Sequence, residues 1–260
     1  MVERLLALDV GNTSIAGGYF IDGRLEFHFG LASVPPRSAD EYGVLLRQLL
    51  ALHGAEAPRP LPSIMCSVAP PLTAALGRAL ERYLGAAPVQ VVDYGALGIE
   101  VRYDNPAEVG PDRVVNALAT RELYGAPAVA VDFGTATTFD VVAADGAYVG
   151  GVIAPGVAVS AQNLFERAAR LGAVELTLPP RVVGRNTDEA LRAGIILGAA
   201  RAADGIVEAI REERGERGAL VATGGWAAVV APAMKTSPRL DAELTLKGLA
   251  LAFERLGAER

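Results

Sequence analysis

Two short segments of this chain place an aspartate before a glycine-containing polar turn. The first, DVGNTS, runs from Asp9 to Ser14, and the second, DFGTATT, begins at Asp132. Glycine lets backbone N–H groups approach an anion, hydroxyl and amide side chains add donors, and an aspartate at a strand end can hold hydrated Mg²⁺. Each segment therefore has the composition of a phosphate-binding turn. Taken alone, either could be an ordinary turn, with Asn12 and Thr13 as turn formers.

The two segments belong to a longer internal repeat. In both, an apolar run ends in the aspartate, the polar turn follows, and a second apolar run closes with Asp-Gly, which favours a type I′ turn. This pattern predicts two β-hairpin-led units. At one constant spacing Asp9 aligns with Asp132, Gly11 with Gly134, Thr13 with Ala136, and Asp22-Gly23 with Asp145-Gly146.

A third glycine turn, Gly224-Gly225 in VATGGW, follows another apolar run. Three such turns suit a nucleotide held in a cleft between two domains, with the first two turns at the phosphates and the third under the adenosine. A P-loop is excluded because no G-x-x-x-x-G-K-[ST] segment is present. A Rossmann fingerprint also fails, because the residues after Gly11 read as a strand where that motif needs a helix.

Composition narrows the range of partners. The 260 residues are 51% hydrophobic, enough for two sizeable cores, and the net charge of −6 provides no basic surface for nucleic acid or an anionic membrane. The single cysteine, Cys66, cannot form an internal disulfide, and we interpret it as a buried small hydrophobe. Glu3 and Asp9 interrupt the apolar core that a signal peptide would need. No apolar run reaches the roughly 18 residues of a membrane-spanning helix. We therefore expect a soluble cytoplasmic protein with small-molecule ligands.

Strands precede helices in each half of the chain. Helices are predicted after the Ser38 cap, over residues 72–84, from Asp112 to Tyr124, in SAQNLFERAARLG and DEALRAGIILGAARAADGIVEAIREERG, and at the terminal LTLKGLALAFERLG. Strands are predicted in RLEFHFGLAS, after the proline-rich APRPLPS, over Val89–Val92 and in ALVATGG. This order predicts two similar α/β units with mixed sheets, residues 1–118 and 119–260. Whether the last helix packs back onto the first domain stays open.

The middle of the chain carries two further motifs. Gly110-Pro111-Asp112-Arg113 follows Tyr103, and Gly184-Arg185-Asn186-Thr187 precedes an apolar helix. With the two aspartate turns, the set resembles type III pantothenate kinases, of the acetate and sugar kinase, heat-shock ATPase and actin superfamily, over nearly the whole chain. The resemblance implies two RNase H-like domains with mixed β-sheets flanked by helices. It also implies ATP-dependent phosphorylation of pantothenate to 4′-phosphopantothenate, the first step of coenzyme A synthesis, by a cytoplasmic homodimer.

The resemblance also implies residue roles. Asp112 is the catalytic base, Asp9 serves Mg²⁺, and Asp132 holds a monovalent cation, K⁺ or NH₄⁺, although by symmetry it could be a second Mg²⁺ ligand. The ATP-binding residues are Asp9, Val10, Gly11, Asn12, Thr13, Ser14, Ile15, Ala16 and Thr135, and the substrate-binding residues are Tyr103, Gly110, Pro111, Asp112, Arg113 and Thr187. Pro111 stands where alanine is more usual in the family; it suits a helix entry but cannot donate a backbone hydrogen bond.

Structural alternatives remain for most of these residues. Asp112 could be a helix N-cap, Arg113 a surface ion-pair partner, Tyr103 a packing residue and Thr187 an N-cap. At the level of function, the alternatives are a non-catalytic nucleotide-binding regulator and a superfamily kinase for a sugar or another small alcohol. Intact Asp9, Asp112, Arg113 and Asp132 favour the kinase over the regulator. Arg113 suits a carboxylate-bearing substrate better than a polyol.

Overall fold

The computed structural model describes residues 3–55, 58–167 and 173–258, and the chain divides into two compact units. The first unit comprises Met1–Ala119 together with Thr245–Arg260, and the second comprises Thr120–Leu244. The last helix is thus grouped with the first unit. Across the three described ranges, no helix combines the length and the apolar composition needed to cross a membrane.

Ten strands and eight α-helices are found in the described residues. In chain order they are β1 (Arg4–Val10), β2 (Ser14–Ile21), β3 (Arg24–Ala32), α1 (Ala39–Leu52), β4 (Ser63–Ser67), α2 (Pro70–Ala79), β5 (Val89–Gln90), α3 (Pro111–Tyr124), β6 (Ala128–Phe133), β7 (Ala136–Val142), β8 (Tyr148–Pro155), α4 (Val157–Arg167), α5 (Thr187–Arg192), α6 (Gly198–Arg214), β9 (Ala219–Thr223), α7 (Ala227–Val230), β10 (Arg239–Leu240) and α8 (Leu244–Ala258).

The two sheets have the same topology. The first has the order β3-β2-β1-β4-β5, and the second, read from its other end, has the order β8-β7-β6-β9-β10. In each, the leading strand pairs antiparallel with the hairpin strand that follows it and parallel with a later strand, β4 in the first unit and β9 in the second. The predicted fold class, two similar α/β units with mixed sheets, is confirmed.

The first unit buries both faces of its sheet. Alternate residues of β1, such as Leu6 and Leu8, pack with α1 and α2 in one apolar core, because successive strand residues point to opposite faces. On β2, a Cβ at Gly18 would lie 3.2 Å from Leu246 on α8. Where α8 meets α3, a Cβ at Gly248 would overlap the Val115 carbonyl oxygen, so these helices approach each other closely.

The second unit packs β6 and β7 against α6 in an equivalent core that includes Phe133 and Phe139. Asp204 on α6 is one of three acidic side chains that are nevertheless buried in the described part of this unit. It accepts hydrogen bonds from the backbone N–H groups of Lys235 (2.9 Å) and Thr236 (3.0 Å) and from the Thr236 hydroxyl (2.8 Å). Burial alone would raise the pKa of Asp204, but these donors hold it below its ordinary value.

Several predicted elements differ in extent from the observed ones. The capping box of α1 is confirmed, with the side chain of Ser38 accepting from the Glu41 N–H. The helix predicted over 72–84 begins at Pro70 and changes at Leu80 to a π-helical turn that ends at Leu84. The strand predicted over Val89–Val92 contains only Val89–Gln90. The predicted SAQNLFERAARLG helix corresponds to α4, and its residues 168–172 lie outside the described residues.

The repeat is real, but its alignment at one constant spacing is wrong by one residue in the hairpin strands. In the first unit Val10 pairs with Ile15, leaving residues 11–14 in the turn, whereas Phe133 pairs with Thr137, leaving only residues 134–136. Ile15 therefore corresponds to Thr137 rather than to Thr138. The burial patterns of β2 and β7 match in this shifted register.

The turns that follow β2 and β7 bring the two copies back to the constant sequence spacing. Asp22 (φ 48°) and Gly23 (φ 77°) form the expected two-residue turn with positive φ at both positions. In the second unit the loop contains residues 144–146, closed by an Ala143 N–H bond to the Ala147 carbonyl, and Gly146 (φ 86°) supplies the left-handed position. The type I′ turn expected for the second copy is therefore replaced by a longer loop.

Candidate active site

The first polar turn is held by backbone and hydroxyl bonds that leave its side chains exposed. The Gly11 N–H donates to the Ser14 carbonyl at 2.9 Å. Ser33, on the segment after β3, donates its hydroxyl to the Gly11 carbonyl at 2.7 Å and its N–H to the Thr13 carbonyl at 3.0 Å. Asn12, Thr13 and Ser14 are exposed. The turn thus presents three short polar side chains from a fixed backbone, as anion binding requires.

Asp9 precedes this turn and lies beside Cys66. The parallel pairing of β1 with β4 sets these two residues side by side, and the Cys66 Sγ donates to the Asp9 Oδ1 at 3.2 Å. Burial, followed by the negative charges of Asp9 and Asp112, raises the pKa of the Cys66 thiol well above its ordinary value. The thiol therefore stays protonated and acts as a donor, and both candidate aspartates of the first unit lie close to it.

Asp112 lies in the first turn of α3. The Gly110 carbonyl accepts the N–H groups of Arg113 (3.1 Å) and Val114 (3.3 Å), and the helix begins at Pro111. Pro111 suits this first position because its missing N–H would have no partner within the helix. The alternative interpretation of Asp112 as the N-cap is therefore wrong, because the helix begins one residue before it.

The Asp112 carboxyl combines a buried oxygen with a raised pKa. Its Oδ1 is buried and has no hydrogen-bond partner among the described residues. A Cβ on Gly110 would collide with this oxygen, so a larger residue there would displace the Asp112 carboxyl. Burial raises the pKa of Asp112, while the backbone N–H and the charge of Arg113 act in the opposite direction. A carboxylate with one unsatisfied oxygen and a raised pKa has the properties of a general base.

The remaining substrate candidates differ in burial. Arg113 is only 7% exposed, which contradicts the surface ion-pair alternative. Tyr103 is 37% exposed and lies in an irregular segment, so it is not a core packing residue. Thr187, in the second unit, is the exposed first residue of α5. Its N-cap alternative is wrong, since Asn186 fills that role by accepting the Glu189 N–H at 2.8 Å.

The second polar turn leaves β6 in the second unit. Asp132 is the last but one residue of that strand and is partly exposed. The Gly134 N–H donates to the Ala136 carbonyl at 3.0 Å, which closes a tighter turn than the first, and Thr135 at its tip is exposed.

The third glycine turn packs directly against the second. Gly224 follows β9, the parallel neighbour of β6, and has φ 90°. A Cβ on Gly224 would collide with the Asp132 Oδ1 and would lie 2.8 Å from the Phe133 nitrogen. The Trp226 N–H donates to the Phe133 carbonyl at 3.1 Å. These two turns therefore lie side by side at one end of the second sheet.

Potential metal ligands do not gather into large clusters in the described residues. In residues 3–55, 58–167 and 173–258, no group of three or more His, Cys, Asp or Glu side chains could hold a metal ion. This fits Mg²⁺ delivered with a nucleotide, because Mg²⁺ commonly takes one or two carboxylates together with phosphates and waters. Asp9, partly exposed at a strand end, suits this role. Asp132, beside a turn that supplies backbone carbonyls, offers the oxygen donors that a hard cation prefers.

Sequence reasoning missed three supporting residues. The predicted burial of Cys66 is correct, but its bond to Asp9 depends on the β1–β4 pairing, which no local pattern encodes. Ser33 reaches the first turn from the far end of the β2–β3 hairpin. Tyr94 donates its hydroxyl to the Val109 carbonyl, just before the Gly110 turn, at 2.6 Å. Each contact joins residues that are distant in the chain, so only the tertiary structure identifies it.

Comparison with known proteins agrees with this geometry. A family model described as type III pantothenate kinase matches residues 5–209. A type III pantothenate kinase of Moorella thermoacetica is 43% identical over 251 residues, which cover 96% of this chain and 99% of that protein.

Two solved structures share the fold at low sequence identity. The activator of the 2-hydroxyisocaproyl-CoA dehydratase from Clostridium difficile, with bound ADPNP, has a TM-score of 0.56 at 11% identity and covers 98% of this chain and 97% of its own. A ROK hexokinase from Thermus thermophilus has a TM-score of 0.50 at 16% identity, with 98% and 99% covered. At these identities the likeness establishes the fold alone. The family model and the sequence relative together show that the chain belongs to the type III pantothenate kinase family.

Proposed function

We propose that this protein transfers the γ-phosphoryl group of ATP to the primary hydroxyl of pantothenate, giving 4′-phosphopantothenate and ADP at the start of coenzyme A synthesis. One observation carries the proposal beyond family membership. The Asp112 carboxyl has a buried oxygen without a partner among the described residues, and it lies near Cys66, which also contacts Asp9. These contacts support a site in which the proposed base, Asp112, lies near Asp9, a proposed contact of the ATP phosphates.

In the proposed reaction Asp112 accepts the hydroxyl proton as the pantothenate oxygen attacks the γ-phosphorus. The new P–O bond forms while the bond to the ADP oxygen breaks, and negative charge spreads over the transferred group. The pKa of Asp112 is raised from its ordinary low value, which brings the carboxylate closer to the basicity needed for proton transfer. Arg113, largely buried and permanently charged, would hold the pantothenate carboxylate or the developing phosphoryl charge.

The other assignments are carried over from the motifs that this chain shares with the family. For pantothenate, the proposed contacts are Tyr103, Gly110, Pro111, Asp112, Arg113 and Thr187. For ATP, they are Asp9, Val10, Gly11, Asn12, Thr13, Ser14, Ile15 and Ala16 in the first unit and Thr135 in the second. Pro111 has no N–H, so its contact is limited to its ring and carbonyl.

Two cations complete the proposed site. Asp9 would hold Mg²⁺, and Asp132 would hold K⁺ or NH₄⁺. When bound, these ions neutralise phosphate charge, which matters in a chain that has no P-loop lysine. Replacing K⁺ with Na⁺ should lower turnover in the wild type but have little further effect in Asp132→Asn. Equal rates of the wild type in both salts would remove the cation assignment.

The protein is further proposed to work as a cytoplasmic homodimer. Six of the large exposed apolar side chains in the described residues lie within one segment of the second unit, which supports a protein interface there. They are Ile153, Val159, Leu164, Leu178, Val182 and Val183. Light scattering after size exclusion should give twice the chain mass; a monomer at micromolar concentration would contradict the dimer.

The function is tested by ADP release with Mg-ATP and K⁺, in the presence of pantothenate or of a panel of sugars and glycerol. We expect release that depends on pantothenate and is absent with the panel. Stimulation by a sugar would identify another small-alcohol kinase. ATP binding without stimulation by any alcohol would favour the nucleotide-binding regulator.

A further inference from the structure

Tyr94 is a half-buried residue on the segment that follows β5, outside the set of expected site residues. Its hydroxyl donates to the Val109 carbonyl at 2.6 Å, across 15 positions of the chain. Val109 is 2% exposed and directly precedes the Gly110-Pro111-Asp112-Arg113 turn. A buried carbonyl needs a donor, and here the donor comes from a different part of the first unit.

The bond fixes the peptide from which the Asp112 turn begins. On its N-terminal side, the Val109 N–H donates to the Pro106 carbonyl at 3.2 Å. On its C-terminal side, the Gly110 carbonyl accepts the first N–H groups of α3. Tyr94 therefore holds the Val109–Gly110 peptide at its carbonyl. The orientation of this peptide sets where α3 starts, because Gly110 accepts the first hydrogen bonds of that helix.

The position of this peptide matters to Asp112 because the two are in close contact. The Asp112 Oδ1 occupies the space that a Cβ on Gly110 would need. A displacement of the Val109–Gly110 peptide would move the Gly110 Cα against or away from that oxygen. Tyr94 is also close enough to Asp112 that, after burial, the charge of this carboxylate raises the pKa of the Tyr94 hydroxyl. The hydroxyl therefore remains a donor while Asp112 is ionised.

We propose that Tyr94 is a positioning residue for Asp112, holding the Val109–Gly110 peptide so that the carboxylate stays in its reactive orientation. It does not touch the substrate or the reacting atoms in this role. The inference rests on the proposed function, in which Asp112 is the base.

The test is Tyr94→Phe, which removes one hydroxyl and keeps the ring. Since a neutral hydrogen bond contributes a modest net energy, kcat should fall about three- to tenfold. The KM for ATP should change by less than about twofold, because no residue proposed to contact ATP lies in the Val109–Gly110 peptide. The matched control is Tyr83→Phe, which also loses one hydroxyl bond, to Asp40 at 2.9 Å, on the surface of the same unit. Its kcat should equal that of the wild type.

Each assay is run well below the Tm of every variant, which separates positioning from general stability. A lowered Tm with unchanged kcat would overturn the inference and leave Tyr94 a purely structural role. The second readout is the double variant with Asp112→Asn. If Tyr94 acts through Asp112, its loss should not reduce the residual turnover of Asp112→Asn further.

The double variant also separates failure of this inference from failure of the proposed function. An equal fall in kcat with and without the Asp112 carboxylate would show that Tyr94 acts independently, and the inference would be lost while the base assignment stands. Wild-type turnover by Asp112→Asn alone would overturn the base assignment and the role of Tyr94 with it.

Discussion

Gly224→Ala should be far more damaging than the same change at the neighbouring Gly225. Gly224 has φ 90°, a conformation that costs an L-residue about 1–2 kcal/mol. Its new Cβ would also collide with the Asp132 Oδ1 and the backbone of Phe133. Overpacking of this kind costs about 1–3 kcal/mol. Because the obstacle includes backbone, it cannot be relieved by a rotamer change, and we expect a total loss of about 2–5 kcal/mol.

Gly225→Ala is the matched control, since nothing lies within 4 Å of the position of its Cβ. In thermal denaturation Gly224→Ala should lower the Tm by at least about 4 °C, with no comparable change for Gly225→Ala. Calorimetry with ATP then reports on the turn as a ligand site, where both variants should weaken binding. A Tm for Gly224→Ala equal to that of Gly225→Ala would refute the packing argument.

Three further outcomes follow from buried polar groups. Asp112→Asn should lower kcat by about 10²–10⁴-fold. It should also raise the Tm at neutral pH, because an ionised carboxylate whose folded-state pKa is raised lowers the stability of the folded protein. In the wild type this destabilisation disappears as the pH falls through that pKa. The gain in Tm should therefore be absent at low pH. Cys66→Ala should weaken Mg-ATP binding in calorimetry about three- to tenfold by removing a donor to Asp9, whereas Cys66→Ser should restore it; equal affinities for all three proteins would exclude this role. Asp204→Ala should lower the free energy of unfolding in urea by at least about 2 kcal/mol, since it strands buried donors, and an unchanged midpoint would contradict this.

The sequence predicted the repeated architecture because its strongest signals are local. An apolar run, a polar turn and an Asp-Gly pair lie close together in the chain, and they specify a hairpin wherever they occur. The helix caps are local too, as the Ser38 and Glu41 pair shows. Register is different, since a turn of residues 134–136 and one of residues 11–14 have similar composition. Only the strand pairing shows that the second turn is one residue shorter than the first.

The sequence identified the motif residues of the candidate site but not the residues that hydrogen-bond to them or to their backbone. Asp9, Asp112 and Asp132 stand out because carboxylates beside glycine turns suggest chemistry. Cys66 gives no such signal, because a cysteine buried as a hydrophobe and one that donates to a carboxylate look identical in sequence. Tyr94 likewise acts through a carbonyl distant in the chain. Long-range contacts of this kind depend on how strands and loops meet, so local patterns do not specify them.

The most direct test of the central claim is the identity of the product. Purified protein is incubated with Mg-ATP, K⁺ and pantothenate, and the mixture is analysed by mass spectrometry and phosphorus NMR. We expect pantothenate to gain one phosphoryl group as a primary-alcohol phosphomonoester, with one ADP formed for each, and Asp112→Asn to form almost none. Unmodified pantothenate, with ADP accompanied only by inorganic phosphate, would contradict phosphoryl transfer to this alcohol.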